Sequence, residues 1–187
     1  MRMTAAVLSL LLSAGAQAED VQALTAEGLA LIPPFQQQLL ETVKAAMQAG
    51  GPLKAVEACQ LQAPLIAAEH SRAPWRVGRT SLLVRNPANA ADAWEHDVLR
   101  QFAQRAAAGE PLANMQHSAV VAGEVRVMQA IAVGEPCLAC HGKTLKPELA
   151  ALLEQRYPQD QARGYELGAL RGAFTLRRSL ADSGVTQ

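Results

Sequence analysis

The chain has 187 residues, half of them apolar, with 17 basic and 17 acidic side chains and three cysteines. That length is enough for one domain with a sizeable core. The balanced charge gives no electrostatic case for nucleic acid or for an anionic membrane surface as a partner.

Met1-Arg2-Met3, the apolar run from Ala5 to Leu12 and the small-x-small site Ala16-Gln17-Ala18 read as a secretory signal peptide over residues 1–18. It is too short and wrongly flanked for a membrane span, and no later run is long enough for one. Export predicts a periplasmic protein with no stable span after cleavage. The mature chain loses only Arg2 from its charges, leaving 16 basic against 17 acidic. Residues 19–180 are expected to form one domain and 181–187 a flexible tail.

Asp20 to Ile32 predicts a helix interrupted at Pro33-Pro34. Phe35, Leu39, Val43 and Met47 continue a helical stripe to Gly50-Gly51. Pro52 suits the first position of a new helix, on which Val56, Cys59, Ala63 and Ile66 share an apolar face. Pro64 cannot donate to the Gln60 carbonyl, which predicts a kink or an end there. Thr80 to Val84 is β-leaning and turns at Asn86-Pro87-Ala88-Asn89. Asp92 and Glu95 form a capping box for a helix with Trp94, Val98, Phe102 and Ala106 inside and Gly109 at its close. Ser118 to Val133 predicts a hairpin turning at Ala122-Gly123. Pro147 opens a short helix that stops at Tyr157-Pro158, and Arg171 to Leu180 reads as a last strand. The sum is α+β.

Between hairpin and helix lies Cys137-Leu138-Ala139-Cys140-His141. Two thiols three positions apart, followed directly by an imidazole, predict one haem c bound covalently through Cys137 and Cys140, with His141 as an iron ligand. A zinc site normally gathers four ligands at motif spacing, whereas Cys59, His70, His96 and His117 are scattered. A thioredoxin-like pair belongs at a strand-to-helix junction in a βαβ unit. Here a Gly-Pro-punctuated run precedes the motif and histidine follows it. Haem attachment also agrees with export.

Cys59 is then an unpaired cysteine in an oxidising compartment. The residues leave two readings open, a core cysteine packing as a small hydrophobe or a thiolate on the sixth position of the iron. Met115, Met128 and His117 compete for that position. Arg79, Arg85 and Arg171 are candidates to pair with the haem propionates. His70, His96 and His117 are by default surface or structural residues.

Several segments together resemble a family of PAS-like single-haem c-type domains, long catalogued as a domain of unknown function. They are Cys59 to Ala67, Val77 to Leu82, Val84 to Asn89, Ala93-Trp94-Glu95, Cys137 to Gly142, Tyr157 to Ala162, Gly164-Tyr165 and Arg171-Gly172-Ala173. Such domains occur alone and as sensor parts of histidine kinases and chemoreceptors. The resemblance implies a central antiparallel sheet with flanking helices, and axial ligation by His141 and Cys59. The family often carries an acid shortly before the Arg-Gly pair, where this chain has Gly168-Ala169-Leu170.

The expected function is redox or electron transfer with a partner protein. The alternative is a redox or gas sensor that binds a small ligand at the haem and signals through a separate partner. A peroxidase-like enzyme would want a distal acid–base pair, which the sequence does not mark. The sequence does not set the oligomeric state.

Overall fold

The computed structural model describes residues 21–181. The expected signal peptide, and the tail beyond Ala181, lie outside the described residues.

The chain opens with helix α1 (21–30) and, after a single turn residue at Leu31, helix α2 (Ile32–His70). The break falls just ahead of Pro33-Pro34, which occupy the first turn of α2, where a missing N–H costs nothing. Gly50 and Gly51 leave helical dihedrals, Gly51 at φ 68° and ψ −160°, a conformation that only glycine takes readily. Thus α2 is two segments. The second returns along the first, so that His70 Nε2 lies 2.6 Å from Gln38 Oε1 and Gln38 Nε2 donates to Glu69 at 3.0 Å.

Pro64 neither kinks nor ends the helix by its dihedrals; α2 runs on to His70. The ring is exposed, and the flanking Ala63 and Ile66 contacts to the core hold the segment in register. Tertiary packing outweighs the lost hydrogen bond here.

Four antiparallel strands form one sheet in the order β1-β4-β3-β2: β1 (Trp75–Thr80), β2 (Gln116–Val121), β3 (Glu124–Ala132) and β4 (Leu170–Ser179). Ala122 and Gly123, both at positive φ, make the β2–β3 turn, as their sequence predicts. The first strand is placed differently. It ends at Thr80, where the sequence reading put its core at 80–84. Ser81 Oγ donates to the Arg171 carbonyl at 2.7 Å and accepts the Leu83 N–H at 3.2 Å, so a side chain takes over the pairing.

Alternation along the strands gives the sheet two packed faces. Trp75, Val77, Val125, Val127, Phe174 and Leu176 meet Ile32, Phe35, Leu39 and Ile66 of α2. Met128, Ala130 and Ala173 meet Val98, Leu99 and Phe102 of α3 (Ala93–Ala107), together with Leu112 and Met115. A smaller core joins Val56 of α2 to Leu149 and Leu153 of a C-terminal helix (Pro147–Arg156) and to Tyr157. This last core brings the haem-motif segment beside the second half of α2.

The capping box forms as read: Asp92 Oδ1 accepts the Glu95 N–H at 2.9 Å and Glu95 Oε2 accepts the Asp92 N–H at 3.0 Å. Both carboxylates also hold the buried Arg126, at 2.7 and 3.1 Å, and Thr175 donates to Glu95 at 2.6 Å. One cap therefore ties a helix end to two central strands. Asp92→Ala should lower unfolding free energy by about 2 kcal/mol, the upper end for a lost cap, because Arg126 loses a partner as well. Urea titration would read this, and a loss within about 0.5 kcal/mol, typical of an unlinked surface change, would contradict it.

Candidate cofactor site

A 3-10 turn (Glu135–Cys137) runs into a single helical turn, α4 (Leu138–His141), fixed at its start by the Cys137 N–H bonding Gly134 O at 3.0 Å. Positions three apart on such a turn lie on one side, which sets both thiols on the same face. The chain leaves α4 at Gly142, where a Cβ would stand 2.6 Å from the Leu138 carbonyl oxygen. Only glycine fits that exit. Beyond it the backbone pairs with another segment, the Tyr165 N–H donating to His141 O at 3.0 Å and the Gly164 N–H to Gly142 O at 3.1 Å.

His141 Nδ1 lies 2.7 Å from the Ala162 carbonyl oxygen. A carbonyl only accepts, so Nδ1 carries the proton and Nε2 of the neutral ring keeps its lone pair. Burial, with Arg171 and Arg85 nearby, pushes the His141 pKa down to about 3. The ring is therefore neutral at ordinary pH and is a competent ligand through Nε2. Tyr165 stands edge-on to it, ring centres 6.4 Å apart.

The Ala162 carbonyl is itself held. The Ala162 N–H donates to Asp160 Oδ1 at 2.9 Å, and Arg85 Nη2 reaches Ala162 O at 3.2 Å and Cys140 O at 2.6 Å. Arg85 Nε donates to Asp160 Oδ1 at 3.2 Å, and Arg163 Nε to Asp160 Oδ2 at 2.9 Å. The Asp160 side chain is only 1% exposed. Burial alone would raise its pKa, but hydrogen bonds from Arg163, Arg85 and the Ala162 N–H hold it below the usual carboxylate range.

Cys59 is not on the buried side of α2 as its periodicity suggests; by area it is exposed. Val56 is turned to the small core and Ile66 to the sheet, and Cys59 falls between these two contacts. Surrounding protein still desolvates the thiol enough to raise its pKa, while Arg79 and Arg85 pull it down. Burial first, and Cys59 after it, raise the pKa of Cys140 and of Tyr157, so α2, α4 and Tyr157 converge on one locus.

The three arginines separate in role. Arg79 follows Trp75 and Val77 on the α2 side of β1, and among the described residues its side chain has no hydrogen-bond or ion-pair partner. Burial lowers its pKa and nearby Cys59 raises it. Arg171 Nη1 donates to Ser81 Oγ at 3.2 Å and to Leu83 O at 3.3 Å, and its guanidinium covers the Tyr165 ring at 5.3 Å. Neither has a carboxylate partner among the described residues. Arg85, by contrast, is committed to Asp160 and two carbonyls.

The structure thus brings Cys59, Cys137, Cys140, His141, Arg79, Arg85 and Arg171 into one region. The other candidates for a sixth ligand lie elsewhere. Met115 and Met128 are fully buried in the core against α3, and His117, paired with Met128 across the hairpin, meets Trp94 at a tilt with ring centres 5.8 Å apart. The sheet stands between them and His141's neighbours on α2. His70 packs on Phe35, and His96 is exposed.

Asp160, Ala162, Tyr157 and Tyr165 belong to the region but received no role from the sequence. Tyr157 to Ala162 and Gly164-Tyr165 mark the family resemblance, yet a ligand's second bond to a backbone carbonyl leaves no residue-type signature. Among the described residues, no helix is long and apolar enough to cross a membrane, and no group of three or more His, Cys, Asp or Glu side chains gathers as a metal site.

A family model described as Tll0287-like matches residues 12–179. No curated protein matches the chain. Among solved structures the chain is similar to one described as the crystal structure of the cyanobacterial heme-protein Tll0287. The identity is 24%, the match covers 86% of this chain and 98% of that one, and the TM-score is 0.60. At that identity the likeness shows the fold.

Proposed function

The chain belongs to the Tll0287-like family, and we propose that it is an exported, periplasmic c-type haem protein that works in redox or electron transfer. The observation that carries this reading is the state of His141: Nδ1 is bonded to the Ala162 carbonyl and Nε2 is free, on the same helical turn as Cys137 and Cys140. That is the donor set a covalently attached haem requires. The structural relative's description as a heme-protein supports it.

In this reading residues 19–180 are a PAS-like domain holding one haem c, bonded to Cys137 and Cys140 by thioethers. His141 and Cys59 are its axial ligands. Arg79 and Arg171, cations without a carboxylate partner among the described residues, pair with its propionates. Arg85 serves the backbone instead. The haem supplies one-electron exchange, and the chain supplies ligands, charge and exclusion of water. Its partner is a redox protein, and nothing in its charge suits nucleic acid.

One observation favours the runner-up, a redox or gas sensor acting through a separate partner. Cys59 is exposed, so its release from the iron on reduction would open that side to a small ligand.

Expression in a bacterial periplasm with haem-attachment machinery tests the reading. A haem-stained band should persist at the chain's mass on a denaturing gel. Complete loss of haem on denaturation would overturn covalent attachment.

A further inference from the structure

We propose that Asp160 is the positioning residue of this site, fixing the protonation and orientation of His141 through Arg85 and the Ala162 carbonyl. For its redox consequence the inference rests on the haem reading above; its structural consequence does not.

A ligating imidazole needs a fixed acceptor on its second nitrogen, or the ring turns and the tautomer changes. Here that acceptor is a carbonyl in an irregular segment between the C-terminal helix and β4, which has no ladder of its own to hold it. Asp160 supplies the missing support on both sides of the bond. Through Oδ1 it takes the Ala162 N–H at 2.9 Å, fixing the peptide two residues on. Through the same oxygen it holds Arg85 Nε at 3.2 Å, and Arg85 Nη2 bonds both Ala162 O, at 3.2 Å, and Cys140 O, at 2.6 Å. One carboxylate therefore locks the acceptor and also the helical turn that carries the imidazole. The Gln161 N–H adds a tie to Val84 O at 2.9 Å, joining the loop to the residue before Arg85.

The charges point the same way. Arg85 and His141 share the Ala162 carbonyl, so a guanidinium sits one hydrogen bond from the imidazole. With Asp160 ionised that cation is compensated; with a neutral side chain it is not. The Arg163 side chain uses the other oxygen, Oδ2, and makes no hydrogen bond to the shared carbonyl. A role confined to loop stability would involve Oδ1 and Oδ2 alike, whereas the proposed role runs through Oδ1.

The test measures hydrogen exchange of the His141 Nδ1–H by nitrogen-15 NMR in reduced, CO-treated protein, and the reduction potential alongside. In Asp160→Asn, exchange should accelerate at least about tenfold, as expected for loss of a hydrogen bond to a charged group. The potential should rise, because an uncompensated cation favours the ferrous state. Arg85→Lys keeps the charge but breaks the fork, and should also accelerate exchange; it decides the matter if Asp160→Asn fails to fold. Arg163→Gln should leave exchange unchanged. Unchanged exchange in the folded Asp160→Asn or Arg85→Lys protein overturns the proposal, as does equal acceleration in Arg163→Gln. Failure of the haem reading shows separately, as wild-type protein without haem absorbance, and exchange at Nδ1 still reports on the clamp.

Discussion

Replacing Cys59 by alanine in the haem-loaded protein should abolish the low-spin ferric signature of a thiolate ligand, leaving an open or water-bound iron in the absorption and EPR spectra. An anionic sulfur stabilises ferric iron, so its loss should also raise the reduction potential, on the order of tenths of a volt within the roughly 0.8 V that axial ligation spans. The fold should hardly notice. Cys59 is exposed, between but outside the two core contacts of its helix, and such changes stay within about 0.5 kcal/mol. Large spectral change with small stability change separates a ligand from a packing residue. An unchanged low-spin spectrum would sink the assignment. CO added to the reduced wild type completes the experiment: a carrier keeps both ligands and resists it, whereas a sensor releases Cys59 and binds it.

The opposite pattern is expected at Phe35. This ring is completely buried where α2 meets the sheet, and its centre lies 5.9 Å from that of Phe174 on β4 in an edge-on contact. Phe35→Ala removes the largest share of that contact and leaves a cavity, with a cost of about 3–5 kcal/mol. Against a total stability of roughly 5–15 kcal/mol for a domain, that is severe. The urea midpoint should fall with the slope unchanged. A loss under about 1 kcal/mol would mean that the site collapses around the gap, contrary to close packing of two aromatic rings against a sheet.

Where local chemistry decides, the sequence was legible. Asp92 and Glu95 announced their helix, Ala122-Gly123 its hairpin, and Gly50-Gly51 the break in α2. The α+β class with a central antiparallel sheet and flanking helices follows from such signals, and the structure has it. Readings failed where distant segments decide. Pro64 stays helical because its neighbours Ala63 and Ile66 are pinned to the core. The first strand stops at Thr80 because Ser81 meets a carbonyl ninety positions away. In the candidate site, spacing picks out Cys137, Cys140 and His141, and being left over picks out Cys59. That Arg85 grips two carbonyls and Arg79 none follows only from how the loop after Tyr157 folds back, which no spacing records.

The place of β4 in the sheet governs the order in which this molecule can assemble. β1 and the β2–β3 hairpin never touch as ladders; both pair only with β4, whose residues 170–179 come near the end of the chain. Emerging from a ribosome amino end first, the polypeptide presents α2 and β1, then the hairpin, then the Cys137–His141 turn, while the sheet still lacks one of its two central strands. Loops spanning most of the domain must close before native contacts reward them, which makes this step slow. Until β4 pairs, the Cys137–His141 turn therefore sits on an unfinished domain, and β4 then closes the sheet beside it.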